Sequence, residues 1–156
     1  MPRIERVLCP VDFSPGSERA LAYAVFLRRQ LGAEVHVLHV YQLPVYALPD
    51  GALLPGPEFT VRLQDDSNKA LQEMLDQHPD EELDGHLVEG VPHAEIIRRA
   101  KELDCDLIVM GTHGRTGLER LLLGSVAERV VRTSEVPVLT VPLTGETSDD
   151  ASDGDG

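Results

Sequence analysis

The stretch Leu107-Ile108-Val109-Met110-Gly111-Thr112-His113-Gly114, followed after nine residues by Gly124-Ser125-Val126, decides how this chain is read. An apolar run that breaks into a glycine turn and then feeds a helix starting at a hydroxyl residue aims several backbone N–H groups at one point. Such a nest suits an anion, a polyphosphate included, and it reads first as a nucleotide site. Gly111 and Gly114 are expected to allow positive φ and close approach of the main chain to a ligand oxygen, with Gly124 doing the same at the last helix. Ser125-Val126-Ala127-Glu128 has the form of a capping box, Ser125 accepting from the Glu128 N–H. The cap and an anion site are compatible, since both use the positive end of the helix. Other phosphate motifs fail on spacing: there is no Gly-x4-Gly-Lys-Ser/Thr run, and Gly111, Gly114 and Gly117 do not make Gly-x-Gly-x-x-Gly.

Outward from this stretch the chain alternates strands and helices. Val7 to Val11 is a first strand, and Asp12-Phe13-Ser14-Pro15 a turn with Ser14 as helix cap and Pro15 at the first helical position. Ala20, Tyr23, Ala24, Leu27 and Leu31 form one helical face that Gly32 ends. Glu34 to Tyr41 is a second strand, apolar on both faces as in a covered parallel sheet. From Gln42 to Glu58 the periodicity collapses among prolines and glycines, which predicts an irregular excursion, either a lid or a mobile surface loop. A helix over Phe59 to His78, a short third strand over His86 to Glu89 and a helix opening at Pro92 follow. Leu107 to Met110 is the fourth strand, Val126, Val130 and Val131 mark the last helix, and Val138-Leu139-Thr140-Val141 is the fifth strand. This pattern predicts an α/β fold, a single open five-stranded parallel sheet with helices on both faces. Strand order 3-2-1-4-5 would bring the turns at Asp12 and Gly111 together at the switch point, where ligands bind in such sheets.

With 156 residues, 42% of them hydrophobic, the chain fits one domain over residues 1–142, followed by an acidic tail, 143–156, too polar to order. No run is long enough for a membrane span or a signal peptide, so a cytoplasmic protein without membrane insertion is expected. The net charge of −13 argues against nucleic-acid binding but leaves room for one nucleotide held by N–H groups and a divalent cation. Cys9 and Cys105 lack metal-like spacing and read as small core residues. The histidines His36, His39, His78, His86 and His93 likewise lack metal-like spacing, so Mg²⁺ or Mn²⁺ would be carried by phosphates and water.

The pattern Gly-x2-Gly-x9-Gly-Ser, preceded by Asp-Leu-Ile-Val-Met and followed by Pro137-Val138-Leu139, resembles the ATP-binding branch of the universal stress protein family. Cys9-Pro10-Val11-Asp12-Phe13-Ser14 is similar to that family's opening strand and turn, and the likeness covers residues 4 to 142. It implies an adenine-nucleotide alpha-hydrolase-like fold binding ATP with Mg²⁺ or Mn²⁺. The adenine would lie near Pro10, Val11, Asp12 and the Val40 backbone, with Met110 and Gly111 beside the ribose. Gly114, Gly124, Ser125 and Val126 would hold the phosphates, and His113 and Arg115 lie in the same turn. The function implied is a stress-response regulator whose nucleotide occupancy alters a surface read by an unknown protein partner. A slow ATPase or autophosphorylating enzyme and a nucleotide-free chaperone-like protein are the alternatives. No residue stands out as a catalytic base. The last strand, Val138 to Val141, would lie at a sheet edge and is expected to pair a homodimer, an arrangement the resemblance also implies.

Overall fold

Val7, Leu8 and Cys9 are apolar on both faces because their strand, β1 (Arg6–Pro10), runs through the middle of a sheet covered on both sides. The computed structural model describes residues 1–113 and 123–143; Gly114, Arg115, Gly117 and the acidic tail after Leu143 lie outside them. Helix α1 (Pro15–Leu31) follows β1, with Ser14 accepting from the Ser17 N–H, Pro15 in the first turn and Gly32 closing it at φ 70°. All three match the expectation. Then come β2 (Glu34–Tyr41), α2 (Pro57–Asp76), β5 (Leu83–Glu89), α3 (Pro92–Glu102), β6 (Leu107–Gly111), α4 (Ser125–Thr133) and β7 (Val138–Val141).

Two expectations need correction. The excursion after β2 is not wholly irregular: β3 (Tyr46–Leu48) and β4 (Gly51–Leu53) form an antiparallel hairpin, with Gly51 at φ 136°. The third sheet strand is also longer than His86 to Glu89, because β5 pairs with β2 from Leu83 onward. Asp84 and Gly85 look like breakers. Gly85 is there because α2 lies so close that a Cβ would stand 2.8 Å from Leu75 Cδ1.

The sheet order is β5-β2-β1-β6-β7, all pairs parallel, which is the expected 3-2-1-4-5 counted over the sheet strands alone. On one face Val7, Cys9, Val35, Val37 and Val109 pack with Leu21, Ala24, Leu71 and Met74 of α1 and α2. On the other, Leu8, Leu38, Val88 and Ile108 pack with Ile96, Ala100, Ala127 and Val130 of α3 and α4. Leu8, Leu38 and Ile108 are fully buried, each contributing about 1.5–3 kcal/mol of transfer free energy. The two cysteines are core residues: burial pushes the Cys9 thiol up to about 12 and, with the charge of Asp106, that of Cys105 up to about 11.

Two features outside the apolar core shape this frame. The first is a backbone contact between β6 and α1. A Cβ on Gly111 would lie 3.0 Å from the Gly16 carbonyl oxygen, and one on Gly16 would lie 2.8 Å from that of His113. The second is a histidine pair across β2 and β5, His36 Nδ1 standing 3.0 Å from His86 Nε2. Glu34 and Asp84 carboxylates lie 3.8 Å from His36, and Arg99 of α3 also acts on His86.

Gly111→Ala and Gly16→Ala are each expected to lower stability by about 1–3 kcal/mol, since backbone on both sides must move to admit one methyl. Thermal melting checks this; two alanine variants that melt like the parent would contradict it. The histidine pair gives a pH dependence. Burial first, then His36, holds His86 below the ordinary histidine range, so near pH 6 the unfolded chain binds more protons than the folded one. Stability should therefore fall as pH drops through about 6.5, and His86→Gln should flatten that slope. An equal slope in parent and variant would refute the assignment.

Candidate functional site

Pro10 opens the sheet. Along β1 the backbone groups of Arg6 and Leu8 face β6, while those of Glu5 and Val11 face β2, shown by the bonds Asp106 N–H to Arg6 O and Val11 N–H to Leu38 O. Residue 10 would be the next donor toward β6, and proline has no N–H. The β1–β6 pairing accordingly stops at Leu8↔Ile108, and the two strands part beyond it.

β1 then turns through Phe13 at φ 64°, a left-handed conformation rare for a bulky residue. Two interactions hold it there. Phe13 stacks on His39 with ring centroids 4.3 Å apart. Asp12 Oδ1 accepts from the Ser14 N–H and from both the Ser14 and Ser17 hydroxyls, while the Asp12 N–H donates to Ser17 Oγ. Asp12 thus organises the turn and the helix start while standing at the cleft's lip.

The departure of β1 leaves part of β2 uncovered. Leu38 bonds toward β1, and Tyr41 toward β5, where its carbonyl accepts from the Gly90 N–H. By this alternation the N–H and C=O of Val40 point to the β1 side, level with residues 11 and 13, where the chain has already turned away. One donor and one acceptor from a single residue therefore face the opening.

Across the gap, β6 ends at Met110 and Gly111, and Thr112 bonds on to Val141 O at 3.1 Å. The Gly124 N–H donates to Thr112 O at 2.6 Å, which ties the start of α4 to the end of β6. Here the capping-box expectation fails. Gly124 is the N-cap at φ −59° and accepts from the Glu128 N–H at 2.9 Å, which makes Ser125 the first helical residue. The Glu128 carboxylate pairs with Arg132 at 3.4 Å instead. The first N–H groups of α4 consequently have no partner within the helix and point out of its N-terminus. Nor do Gly111 and Gly124 adopt positive φ. Gly111 is required by close approach to Gly16, not by handedness.

These parts enclose one cleft of about 510 Å³. Pro10, Val11, Asp12, Val40, Met110, Gly111, His113, Gly124, Ser125 and Val126, the described residues expected at a nucleotide, all line it. Gly114 and Arg115 lie outside the described residues. Ser17, Leu38, Gln42, Pro92, Ile96, Thr112 and Ala127 also line the cleft, and the sequence reading missed them. Leu38 was findable as the neighbour of Val40 on one face of a strand. The described lining carries no lysine or arginine, and the helix N-termini of α1, α3 and α4 supply what positive potential it has. A wider hollow of about 650 Å³ lies under α2 at the β5 edge, and none of these residues borders it. Among the described residues no group of three His, Cys, Asp or Glu side chains could hold a metal ion. No described helix is long and apolar enough to cross a membrane.

The model of the universal stress protein family matches residues 3–142. Universal stress protein MJ0531 of Methanocaldococcus jannaschii is 36% identical over 139 residues, which cover 88% of this chain and 81% of that protein. The solved structure of hypothetical protein MJ0577, from the same organism, superposes with a TM-score of 0.75 at 27% identity, covering 93% of this chain and 100% of the other. A universal stress protein from Archaeoglobus fulgidus, solved in complex with dAMP, gives 0.58 at 24% identity over 90% of this chain and 98% of its own. With its family model spanning almost all the described residues, the chain belongs to the universal stress protein family.

Proposed function

We propose that the cleft binds an adenine nucleotide, ATP with Mg²⁺ or Mn²⁺, and that occupancy is the signal this protein passes to a partner. The observation that carries this reading is the pairing of two main-chain features at opposite ends of one cleft. At one end Val40 offers an N–H and a C=O side by side, which match the N1 acceptor and N6 donor of adenine. At the other, the N-terminus of α4 offers to an anion N–H groups that have no partner within the helix. Pro10, Val11, Met110 and Ile96 supply apolar walls for a flat base. Gly111 and His113 would flank the ribose and first phosphate, and Gly124, Ser125 and Val126 the phosphates, a role proposed also for Gly114 and Arg115. The solved complex of an Archaeoglobus fulgidus universal stress protein with dAMP supports this reading. The metal would be carried by phosphate oxygens and water.

A response surface lies close by. Gln42 lines the cleft, and the hairpin that starts four residues later exposes Tyr46, Leu48 and Leu53. A nucleotide that favours one placement of this segment would shift what a protein partner meets, in the cytoplasm by this reading. The chain would act as a homodimer through β7. Odd residues of β7 bond to β6, shown by Thr112 N–H to Val141 O, so the backbone groups of Val138 and Thr140 face the free edge, with Leu139 exposed beside them.

Calorimetric titration with Mg-ATP is expected to show saturable binding, and ATP at about 100 times its Kd should stabilise the fold by about 2.7 kcal/mol. No heat and no thermal shift with ATP, ADP or AMP would overturn the reading. For the dimer, Thr140→Pro removes an outward N–H without touching the β6 ladder and should convert a dimer to a folded monomer in equilibrium sedimentation. A parent protein that sediments as a monomer at micromolar concentration would refute the interface.

A further inference from the structure

Val11 is where β1 leaves the ladder, and its carbonyl has two ways to go. In the β1–β2 register, Pro10 faces Leu38 and the Val11 N–H donates to Leu38 O at 2.8 Å. Continued by one rung, the same ladder would have the Val11 carbonyl accept from the Val40 N–H. That rung would close the donor that Val40 turns to the cleft. The carbonyl instead lies 2.8 Å from His39 Nδ1. A carbonyl only accepts, so Nδ1 carries the proton and donates. His39 follows Leu38 on β2, so its side chain stands on the α1 and α2 face of the sheet, where its ring is buried against Phe13. The bond therefore draws the Val11 carbonyl toward that face and away from the ladder.

We propose that His39 is a positioning residue for base recognition: by taking the Val11 carbonyl, it keeps the Val40 N–H open to the ring nitrogen of a bound adenine. This rests on the nucleotide reading above and adds to it a cause for adenine selectivity that lies outside the cleft. His39 does not line the cleft, so it would act on a ligand only through the main chain. Its effect is on one backbone donor, so it should alter selection among bases rather than the grip on phosphates.

The test compares Mg-ATP with Mg-ITP, whose base has the same outline but presents a donor at N1 and an acceptor at position 6. The parent should prefer ATP. His39→Leu should bind ATP about tenfold more weakly, the worth of about one hydrogen bond, with ITP affinity unchanged and the preference collapsed. His39→Asn, which restores an N–H near the place of Nδ1, should recover the preference. A His39→Leu variant that keeps the parent's preference, or that loses ATP and ITP equally, overturns the inference while leaving the nucleotide site in place. A parent that binds both equally also overturns it, whereas a parent that binds neither removes the nucleotide reading itself. Amide exchange in the unaltered protein decides independently of whether the leucine variant folds. Without nucleotide the Val40 N–H should exchange much faster than that of Leu38 and slow on adding ATP. Equal protection of the two amides without ligand would sink the proposal.

Discussion

The approach of two backbones, at Gly16 and Gly111, is the constraint on which the rest of the molecule depends. It sets α1 against the end of β6 at a separation that no side chain fits, since a Cβ on either residue would meet a carbonyl oxygen at about 3 Å. Each glycine lies beside a turn of the cleft: Gly16 opens the helix that Asp12, Ser14 and Ser17 bind together, and Gly111 ends the strand that leads to Thr112 and His113. Because these two turns touch, the position of one fixes that of the other. The cleft between β1 and β6 keeps its width through contact behind it, with no need of a bridge across it.

The opening itself comes from subtraction. Proline at position 10 removes a donor from the β1–β6 ladder, and the early turn at Phe13 removes a partner from β2. What remains is main chain that has been stripped of neighbours but held in place by the sheet around it: Val40 on one side, the first turn of α4 on the other. Such groups need no reorganisation to meet a ligand. They also suit a chain with a net charge of −13, because a cluster of N–H dipoles acts over a short range where the diffuse negative field is weak by comparison.

Much of this could be read from residue types, and the failures share one cause. Ser14, Pro15 and Gly32 bound α1 through local chemistry, and local chemistry is visible in sequence. The alternation of apolar strands and amphipathic helices gave the parallel sheet, and two unusual turns at strand ends gave its order. The third sheet strand was read as starting at His86 rather than Leu83, because the close presence of Leu75, which makes Gly85 fit there, is a tertiary fact. Ser125 was misread as a cap, because the bond between Gly124 and Thr112 shifts the helix start back by one residue, and that bond joins segments far apart in the turn. The hairpin at Tyr46 to Leu53 was hidden by Pro49, Asp50 and Gly51, which mark a turn without revealing that short strands flank it. In the cleft, the wall contributed by α3 went unread because Pro92 and Ile96 are indistinguishable in sequence from ordinary helix start and core.

A site assembled from main chain leaves a particular imprint. Where a side chain reads a ligand, its chemistry names the ligand, and a sequence can be searched for it. Where the backbone reads it, the residues that matter are those that shape the chain: a proline that withholds a donor, a glycine that admits a neighbour, a buried histidine that redirects a carbonyl. Pro10, Gly111 and His39 are of this kind, and none of them would be recognised as a binding residue by its functional group. Pro10 and Gly111 also line the cleft, so of the three only His39 acts on the main chain without belonging to the lining. If the cleft takes a nucleotide as proposed, its selectivity would be written partly behind its walls, in the packing of β1 and β2 against α1, where a change could alter which base is accepted without altering a single residue of the lining.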